Sequence, residues 1–127
     1  MRLLLDTHAF IWWDSEPDRL SATALAAIRD PANEVNLSVA SVWEMVIKSG
    51  LGKLSLRMPL ADIVLQQAAG GLRILPVTHG RVLAVEQLPL VHRDPFDRVL
   101  VAQATMEDAE LVSADPILRS DPVRVFW

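Results

Sequence analysis

Short apolar runs alternate along this chain with longer segments whose apolar residues recur every three or four positions. The runs cover residues 2–5, 35–39, 72–77, 110–113 and 123–126. Their lengths and β-branched residues predict five strands. The helical spacing between them predicts six helices, over residues 8–14, over 21–29, around residues 43–48, and over 59–69, 80–88 and 95–108. Either Ser38 or Ser41 is expected to cap the third of these helices.

Strands that alternate with helices of about ten residues are typical of βαβ units. Such units build a mostly parallel sheet with helices on both faces, because their crossovers share one hand. The chain has 127 residues and contains no repeat, linker or low-complexity tract. We therefore expect one α/β domain over residues 1–127, with a mostly parallel sheet of about five strands flanked by helices.

Composition narrows the class of protein. Although 51% of the residues are hydrophobic, no run approaches the roughly 18 apolar residues of a membrane span. Asp6 ends the first apolar run too early for a signal peptide, so we expect a cytoplasmic protein without membrane contact. The absence of cysteine excludes disulfides and thiolate zinc sites. The net charge of −4 argues against a general electrostatic hold on nucleic acid, but acids around a bound cation would still form a positive site.

The stretch from His92 to Ala104 carries two acids where a helix is expected to begin. Asp94 fits the cap, Pro95 the first helical position, and Asp97 the acidic partner of a capping box. Taken alone, this spacing favours a structural role for both acids. A catalytic role requires other carboxylates to meet them in space.

Three further acids are predicted to lie at one edge of the sheet. Asp6 follows the first strand, Glu44 lies in the helix after the second strand, and Asp115 follows the fourth. Ligands of parallel sheets bind beyond the carboxyl ends of the strands, where helix N-termini such as that of Asp97 also converge. Four carboxylates there would repel one another and favour a bound cation. Each also has a structural alternative as a turn cap or, for Glu44, as the capping-box partner of Ser41.

Oxygen ligands without cysteine or paired histidines favour Mg²⁺ or Mn²⁺ over zinc. A site of this kind favours phosphodiester hydrolysis by an activated water molecule. The histidines form no catalytic set. His8 and His92 lie near acidic segments and are candidates for substrate contact, whereas His79 fits a helix start.

Four segments, in this order, resemble the PIN-domain nucleases, and specifically the VapC-type toxins of prokaryotic toxin–antitoxin pairs. The segments are Leu4-Leu5-Asp6-Thr7-His8 with Trp12-Trp13; Ser38-Val39-Ala40-Ser41-Val42-Trp43-Glu44-Met45 with Lys48 and Leu51-Gly52-Lys53-Leu54; His92-Arg93-Asp94-Pro95-Phe96-Asp97-Arg98; and Leu111-Val112-Ser113-Ala114-Asp115. The resemblance spans nearly the whole chain and implies a PIN-like three-layer sandwich. Asp97, rather than Asp94, matches the family's third acid, because Val101-Ala102 follows it at the right distance. The family commonly has Ile-Ala at that point.

The resemblance also implies an activity and a site. The activity is endoribonucleolytic cleavage with Mg²⁺ or Mn²⁺, by a homodimer whose active site a cognate antitoxin protein blocks. The residues implied as both catalytic and metal-binding are Asp6, Glu44, Asp97 and Asp115. The supporting residues are Thr7, Ser113 and Asp94. The candidates for contact with the RNA substrate are Arg93, Arg98, Lys48 and Lys53.

A second hypothesis is a catalytically silent PIN-like protein-binding module, in which the acids serve only as caps. It rests on Trp12, Trp13 and Trp127, which are expected to be exposed and could form partner surfaces. A phosphatase of the haloacid-dehalogenase type is disfavoured, because His8 stands where that class needs a second aspartate.

Overall fold

The computed structural model describes residues 1–90 and 93–127, and within them one sheet of five parallel strands. The strands are β1 Arg2–Leu5, β2 Glu34–Ser38, β3 Arg73–Leu75, β4 Glu110–Val112 and β5 Val125–Phe126. Their spatial order is β3-β2-β1-β4-β5, and every neighbouring pair is parallel. The predicted α/β class and parallel sheet are confirmed.

Six α-helices connect and cover these strands in the described part of the chain. They are α1 Thr7–Ser15, α2 Ala22–Arg29, α3 Val39–Gly50, α4 Leu60–Ala69, α5 His79–Ala84 and α6 Pro95–Met106. The helix predicted over 80–88 is shorter, because its second half forms the 3₁₀ turn Val85–Gln87. None of the helices in these two ranges is long and apolar enough to cross a membrane.

Side-chain caps explain where several helices begin. The hydroxyl of Ser38 accepts a 3.0 Å hydrogen bond from the Ala40 amide, so Ser38 caps α3. Ser41 lies inside α3 with a buried hydroxyl that has no partner among the described residues. The alternative capping box between Ser41 and Glu44 is therefore wrong.

Alternating side chains of β1 divide the core into two layers. Leu3 and Leu5 face one side, where residues of α1, α2, α3 and α4 pack against them. Leu4 faces the other side and packs with Leu100 and other residues of α6. This arrangement is the predicted three-layer sandwich, with the sheet between two layers of helices.

The strand order reverses at β1. From β1 the chain proceeds outward through β2 and β3, and then returns to build β4 and β5 on the other side. Ligands of open α/β sheets bind at such a switch point, beyond the carboxyl ends of the strands. Leu5 is in register with Val112, so the residues that follow them, Asp6 and Ser113, lie side by side at that point.

Candidate active site

Asp6 lies at the end of β1 and also caps α1. Its Oδ1 accepts a 2.7 Å hydrogen bond from the Ala9 amide, and its own amide donates to the Val112 carbonyl at 3.0 Å. Ser113 hydrogen-bonds to the carboxylate from the neighbouring strand. Only 7% of Asp6 is exposed, so the fold holds this carboxylate in one orientation.

Burial raises the pKa of Asp6 above its ordinary value. Hydrogen bonds from Ser113 and Ala9, together with nearby His8, act in the opposite direction. The negative charge of Glu44 adds to the increase. Asp6 and Glu44 are therefore close enough to repel each other, as expected for acids that share one site.

Glu44 lies in α3 and is 6% exposed. The buried hydroxyl of Thr7 donates a 2.6 Å hydrogen bond to Glu44 Oε1. The ammonium of Lys48, one helical turn further on, pairs with Glu44 Oε2. Both carboxylate oxygens are therefore held by side chains of the chain itself.

Ser113 and Asp115 follow β4 and are joined by a 3.1 Å hydrogen bond from the Asp115 amide to the Ser113 hydroxyl. The exposed Asp115 carboxylate accepts a 3.0 Å bond from the Ile117 amide and caps the 3₁₀ turn Pro116–Ser120. Ser113 thus connects Asp6 with the backbone of Asp115. The structural role foreseen for Asp115 as a turn cap is present in the fold.

Asp97 is half-buried in the first turn of α6, where Asp94 is the cap. The Asp94 carboxylate accepts hydrogen bonds from the amides of Phe96 and Asp97 at 2.9 and 3.1 Å. Phe96 packs edge-to-face against Trp43, with ring centroids 6.0 Å apart. This contact joins the start of α6 to α3 at the residues that precede Asp97 and Glu44.

The fold therefore brings Asp6, Thr7, Glu44 and Ser113 into one buried network, with Asp115 attached through Ser113. Within residues 1–90 and 93–127, no three histidine, aspartate or glutamate side chains converge closely enough to form a ready-made metal site. Donors of the chain itself hold the carboxylates of Asp6, Glu44 and Asp115 in place. The donor set itself consists of carboxylate and hydroxyl oxygens, which suits a hard cation.

The basic candidates differ in their surroundings. Lys53 and Arg93 are exposed. Lys48 pairs with Glu44, and Arg98 donates to the carbonyls of Pro89 and Val85 at 3.1 and 3.2 Å. His92 lies outside the described residues.

Two features of the site region differ from the sequence interpretation. Lys48, an RNA-contact candidate from the sequence, pairs with Glu44, and its four-residue spacing from Glu44 is the signal for such a helical ion pair. Trp12, Trp13 and Trp127 are half-buried rather than exposed, and the exposed tryptophan is Trp43 at 63%.

Known proteins resemble this chain over almost its whole length. A family model described as PIN domain matches residues 3–120. The chain belongs to the PIN domain family. Ribonuclease VapC22 of Mycobacterium tuberculosis (strain ATCC 25618 / H37Rv) is 34% identical to this PIN domain over 119 residues, which cover 93% of the chain and 90% of that protein. The predicted membership of the VapC-type PIN nucleases is confirmed.

Solved structures agree with the fold. VapBC2 from Rickettsia felis, bound to a DNA fragment from its promoter, aligns with a TM-score of 0.69 at 15% identity, covering 98% of this chain and 96% of that one. A toxin–antitoxin complex from Klebsiella pneumoniae aligns with a TM-score of 0.53 at 18% identity, covering 89% and 86%. These likenesses confirm the predicted PIN-like fold.

Proposed function

We propose that this PIN domain is a Mg²⁺- or Mn²⁺-dependent endoribonuclease that acts as the toxin of a toxin–antitoxin pair. The observation that carries the proposal is the 34% identity to Ribonuclease VapC22 across nearly the full length of both chains. The buried pair of Asp6 and Glu44 at the switch point of the sheet supports it, because close carboxylates in a buried site favour a cation.

In this proposal the four acids Asp6, Glu44, Asp97 and Asp115 hold the cation and carry catalysis. When bound, Mg²⁺ or Mn²⁺ supplies charge stabilisation at the phosphate and a more acidic water. The chain's own residues orient the ligands. Thr7 and Ser113 direct the carboxylates of Glu44 and Asp6.

The start of α6 has a separate positioning role. By capping the helix, Asp94 fixes the first turn of α6, on which Asp97 lies. In the proposal this turn presents Asp97 to the cation. The helix N-terminus also favours negative charge at this position.

Basic side chains around this edge are proposed to contact the RNA backbone. Arg93 and Lys53 are exposed and available for phosphate contacts. Lys48 and Arg98 are proposed to make such contacts from side chains that the fold already orients. Lys48 is held by Glu44, and Arg98 by the carbonyls of Pro89 and Val85. RNA as substrate and an antitoxin as partner also imply action in the cytoplasm.

The cognate antitoxin is proposed as the partner that blocks the site, in keeping with the toxin–antitoxin complex among the structural neighbours. We also propose a homodimer. An apolar stripe along the exposed face of α3 supports self-association, because contiguous apolar surface of this kind marks interfaces. Its residues are Val39, Trp43, Val46, Ile47 and Leu51.

Self-association can be tested at Val46, which lies on this stripe. We expect Val46→Glu to convert a dimer to a monomer in sedimentation equilibrium. Leu65→Glu is the matched control, because Leu65 is also apolar and exposed but lies on α4. A wild-type monomer at all accessible concentrations would contradict the dimer.

Catalysis can be tested with one chemical change made at two neighbouring acids. We expect Asp97→Asn to abolish Mg²⁺- or Mn²⁺-dependent cleavage of single-stranded RNA while the melting temperature stays near that of the wild type. Asp94→Asn should retain cleavage, because asparagine caps a helix about as well as aspartate. Cleavage retained by a folded Asp97→Asn protein would contradict the catalytic assignment.

Metal binding separates the nuclease from the silent protein-binding module. The nuclease hypothesis predicts that isothermal calorimetry detects Mn²⁺ binding to the wild type at millimolar concentration and weaker binding to Asp6→Asn. No binding to the wild type would favour the module, in which the acids act only as caps.

A further inference from the structure

Trp127 lies in the same row of the sheet as two residues of the candidate active site. Val112 is in register with Leu5 on one side and with Phe126 on the other. The residues that follow these three are Asp6, Ser113 and Trp127. The Ser113 amide donates to the Phe126 carbonyl at 3.2 Å, which continues the row to the edge strand. Since neighbouring strands lie about 4.8 Å apart, Trp127 begins about 10 Å from Asp6.

An aromatic and cationic cluster occupies this end of the row. Trp12 contacts Trp127 edge-on and His8 at a tilt, with ring centroids 5.9 Å apart in both pairs. The guanidinium carbon of Arg19 lies 4.8 Å from the centroid of Trp12. We name His8, Trp12, Arg19 and Trp127 the aromatic platform. His8 and Trp12 are four residues apart on α1, so they share one face of that helix.

One end of the aromatic platform reaches the candidate active site. His8 is the second residue of α1 and lies close enough to Asp6 for its charge to influence that carboxylate. The platform therefore extends from the side of Asp6 along α1 toward Trp127. These side chains therefore flank the place where the proposed function puts the scissile phosphate.

The aromatic platform combines two partly buried rings with two exposed side chains. Trp12 and Trp127 are half-buried and pack against the core on one side. His8 and Arg19 are exposed. The rings are consequently oriented before any ligand arrives, which lowers the entropy cost of binding, and flat imidazole and guanidinium surfaces remain open to solvent.

We propose that the aromatic platform is a base-stacking subsite for single-stranded RNA beside the scissile phosphate, an inference that rests on the proposed ribonuclease function. Single-stranded RNA is recognised largely by stacking of its bases on aromatic rings and arginine planes. The net charge of −4 provides no general attraction for the RNA backbone, so stacking supplies affinity that charge does not. Arg19, which also pairs with Glu16 at 3.7 Å, presents its guanidinium plane at the place where the bases would lie.

The test separates stacking from phosphate contacts by removing bases but not charges. A labelled single-stranded RNA and the same RNA with abasic sites are titrated against Asp97→Asn protein, which keeps the RNA intact, and anisotropy gives the two Kd values. We expect the abasic RNA to bind at least about fivefold more weakly, the effect of losing one stacked base. When His8→Ala and Arg19→Ala are both introduced into the Asp97→Asn protein, this difference between the two RNAs should disappear.

The matched control is the double variant His79→Ala/Arg29→Ala, which removes the same residue types from exposed positions on α5 and α2. It should retain the full difference between the two RNAs. Trp127→Ala should reduce that difference and Trp127→Phe should restore it, with melting temperatures measured for both.

Three results would overturn the proposal. They are equal binding of the two RNAs by the protein with an intact platform, an undiminished difference in the His8→Ala/Arg19→Ala protein, and loss of self-association in that protein with unchanged RNA binding. The last result would assign the surface to a second copy of the chain.

The ribonuclease function is judged separately, by cleavage of the intact RNA with Mn²⁺ and native Asp97. Base-dependent binding without cleavage would reject the nuclease and keep the subsite. Cleavage without base-dependent binding would keep the nuclease and reject the subsite.

Discussion

The hydroxyl of Thr7 donates a 2.6 Å hydrogen bond to Oε1 of Glu44, 37 residues further along the chain. This bond joins the start of α1 to the middle of α3 inside the core, where both residues are buried. Asp6, adjacent to Thr7, is held by Ala9 and Ser113. The orientation of Glu44, one candidate ligand, therefore depends on Thr7, which is the neighbour of Asp6, a second candidate ligand.

We predict that Thr7→Val lowers both stability and RNA cleavage. Valine has nearly the shape of threonine but no hydroxyl, so Glu44 Oε1 would remain buried without its donor, at a cost of about 1–3 kcal/mol. Urea denaturation measures the stability, and initial cleavage rates at saturating Mn²⁺ measure the activity.

Thr7→Ser is the control for this change, because serine retains the hydroxyl. Its cleavage rate should lie much nearer to the wild type than that of Thr7→Val. Equal rates for the serine and valine variants would show that the hydroxyl does not orient Glu44.

Lys48→Met is predicted to destabilise the protein by about 1 kcal/mol, as expected for a partly exposed ion pair whose acid is buried. Methionine keeps the apolar stem of the lysine but leaves Glu44 Oε2 without a cation. If Glu44 is a metal ligand as proposed, Lys48 and the metal would compete for its carboxylate, so Mn²⁺ should raise the melting temperature of the variant more than that of the wild type.

Lys53→Met serves as the comparison, since Lys53 is exposed in the turn after α3. Its melting temperature and Mn²⁺ response should match those of the wild type. If Lys48→Met and Lys53→Met respond alike to Mn²⁺, the ion pair does not compete with the metal.

Local sequence was sufficient to place two of the acids after strands. Asp6 follows β1 directly and Asp115 is the third residue after β4, and an acid just beyond a parallel strand lies at the carboxyl edge of the sheet. Asp94 as the cap of α6 was predictable for the same reason, because capping depends on neighbouring residues.

Features that depend on distant contacts were not predictable. Trp43 is exposed and Trp12 half-buried because of which helix faces pack on the sheet, and a run of apolar residues does not specify that choice. Ser38 and Ser41 were equally acceptable caps until the end of β2 determined where α3 begins.

Glu34→Gln is predicted to lower stability at neutral pH. A hydrogen bond from Asn36, followed by the charges of Arg2 and Arg73, holds the pKa of Glu34 below its ordinary value of 4.5. A depressed pKa stabilises the folded state above the pKa of the unfolded chain, and this contribution is lost as the pH falls through the folded pKa. The melting temperature of the variant should therefore fall below that of the wild type at pH 7 and approach it in acid.

Glu86→Gln is the matched variant, because Glu86 is exposed in the turn after α5. Its melting temperature should track that of the wild type throughout the titration. A pH-independent deficit in Glu34→Gln would instead assign the loss to packing rather than to charge.

Asp6→Asn is predicted to have the opposite effect and to stabilise the metal-free protein by a few degrees at neutral pH. Burial raises the pKa of Asp6 above its ordinary value of 3.8. Ionised Asp6 therefore destabilises the folded state, a penalty that is absent below the unfolded pKa and develops as the pH rises toward the folded pKa. The advantage of the variant should grow as the pH rises through the folded pKa of Asp6 and shrink in acid.

The same variant connects stability with the proposed metal site. A cation held at the proposed site would bind only the folded protein and raise its melting temperature by mass action. Added Mn²⁺ should therefore stabilise the wild type and reduce the advantage of Asp6→Asn. Asp62→Asn, which removes an exposed carboxylate on α4, should respond to Mn²⁺ as the wild type does. If Asp6→Asn instead gains as much from Mn²⁺ as the wild type, Asp6 is not a ligand, and its buried carboxylate serves only to cap α1.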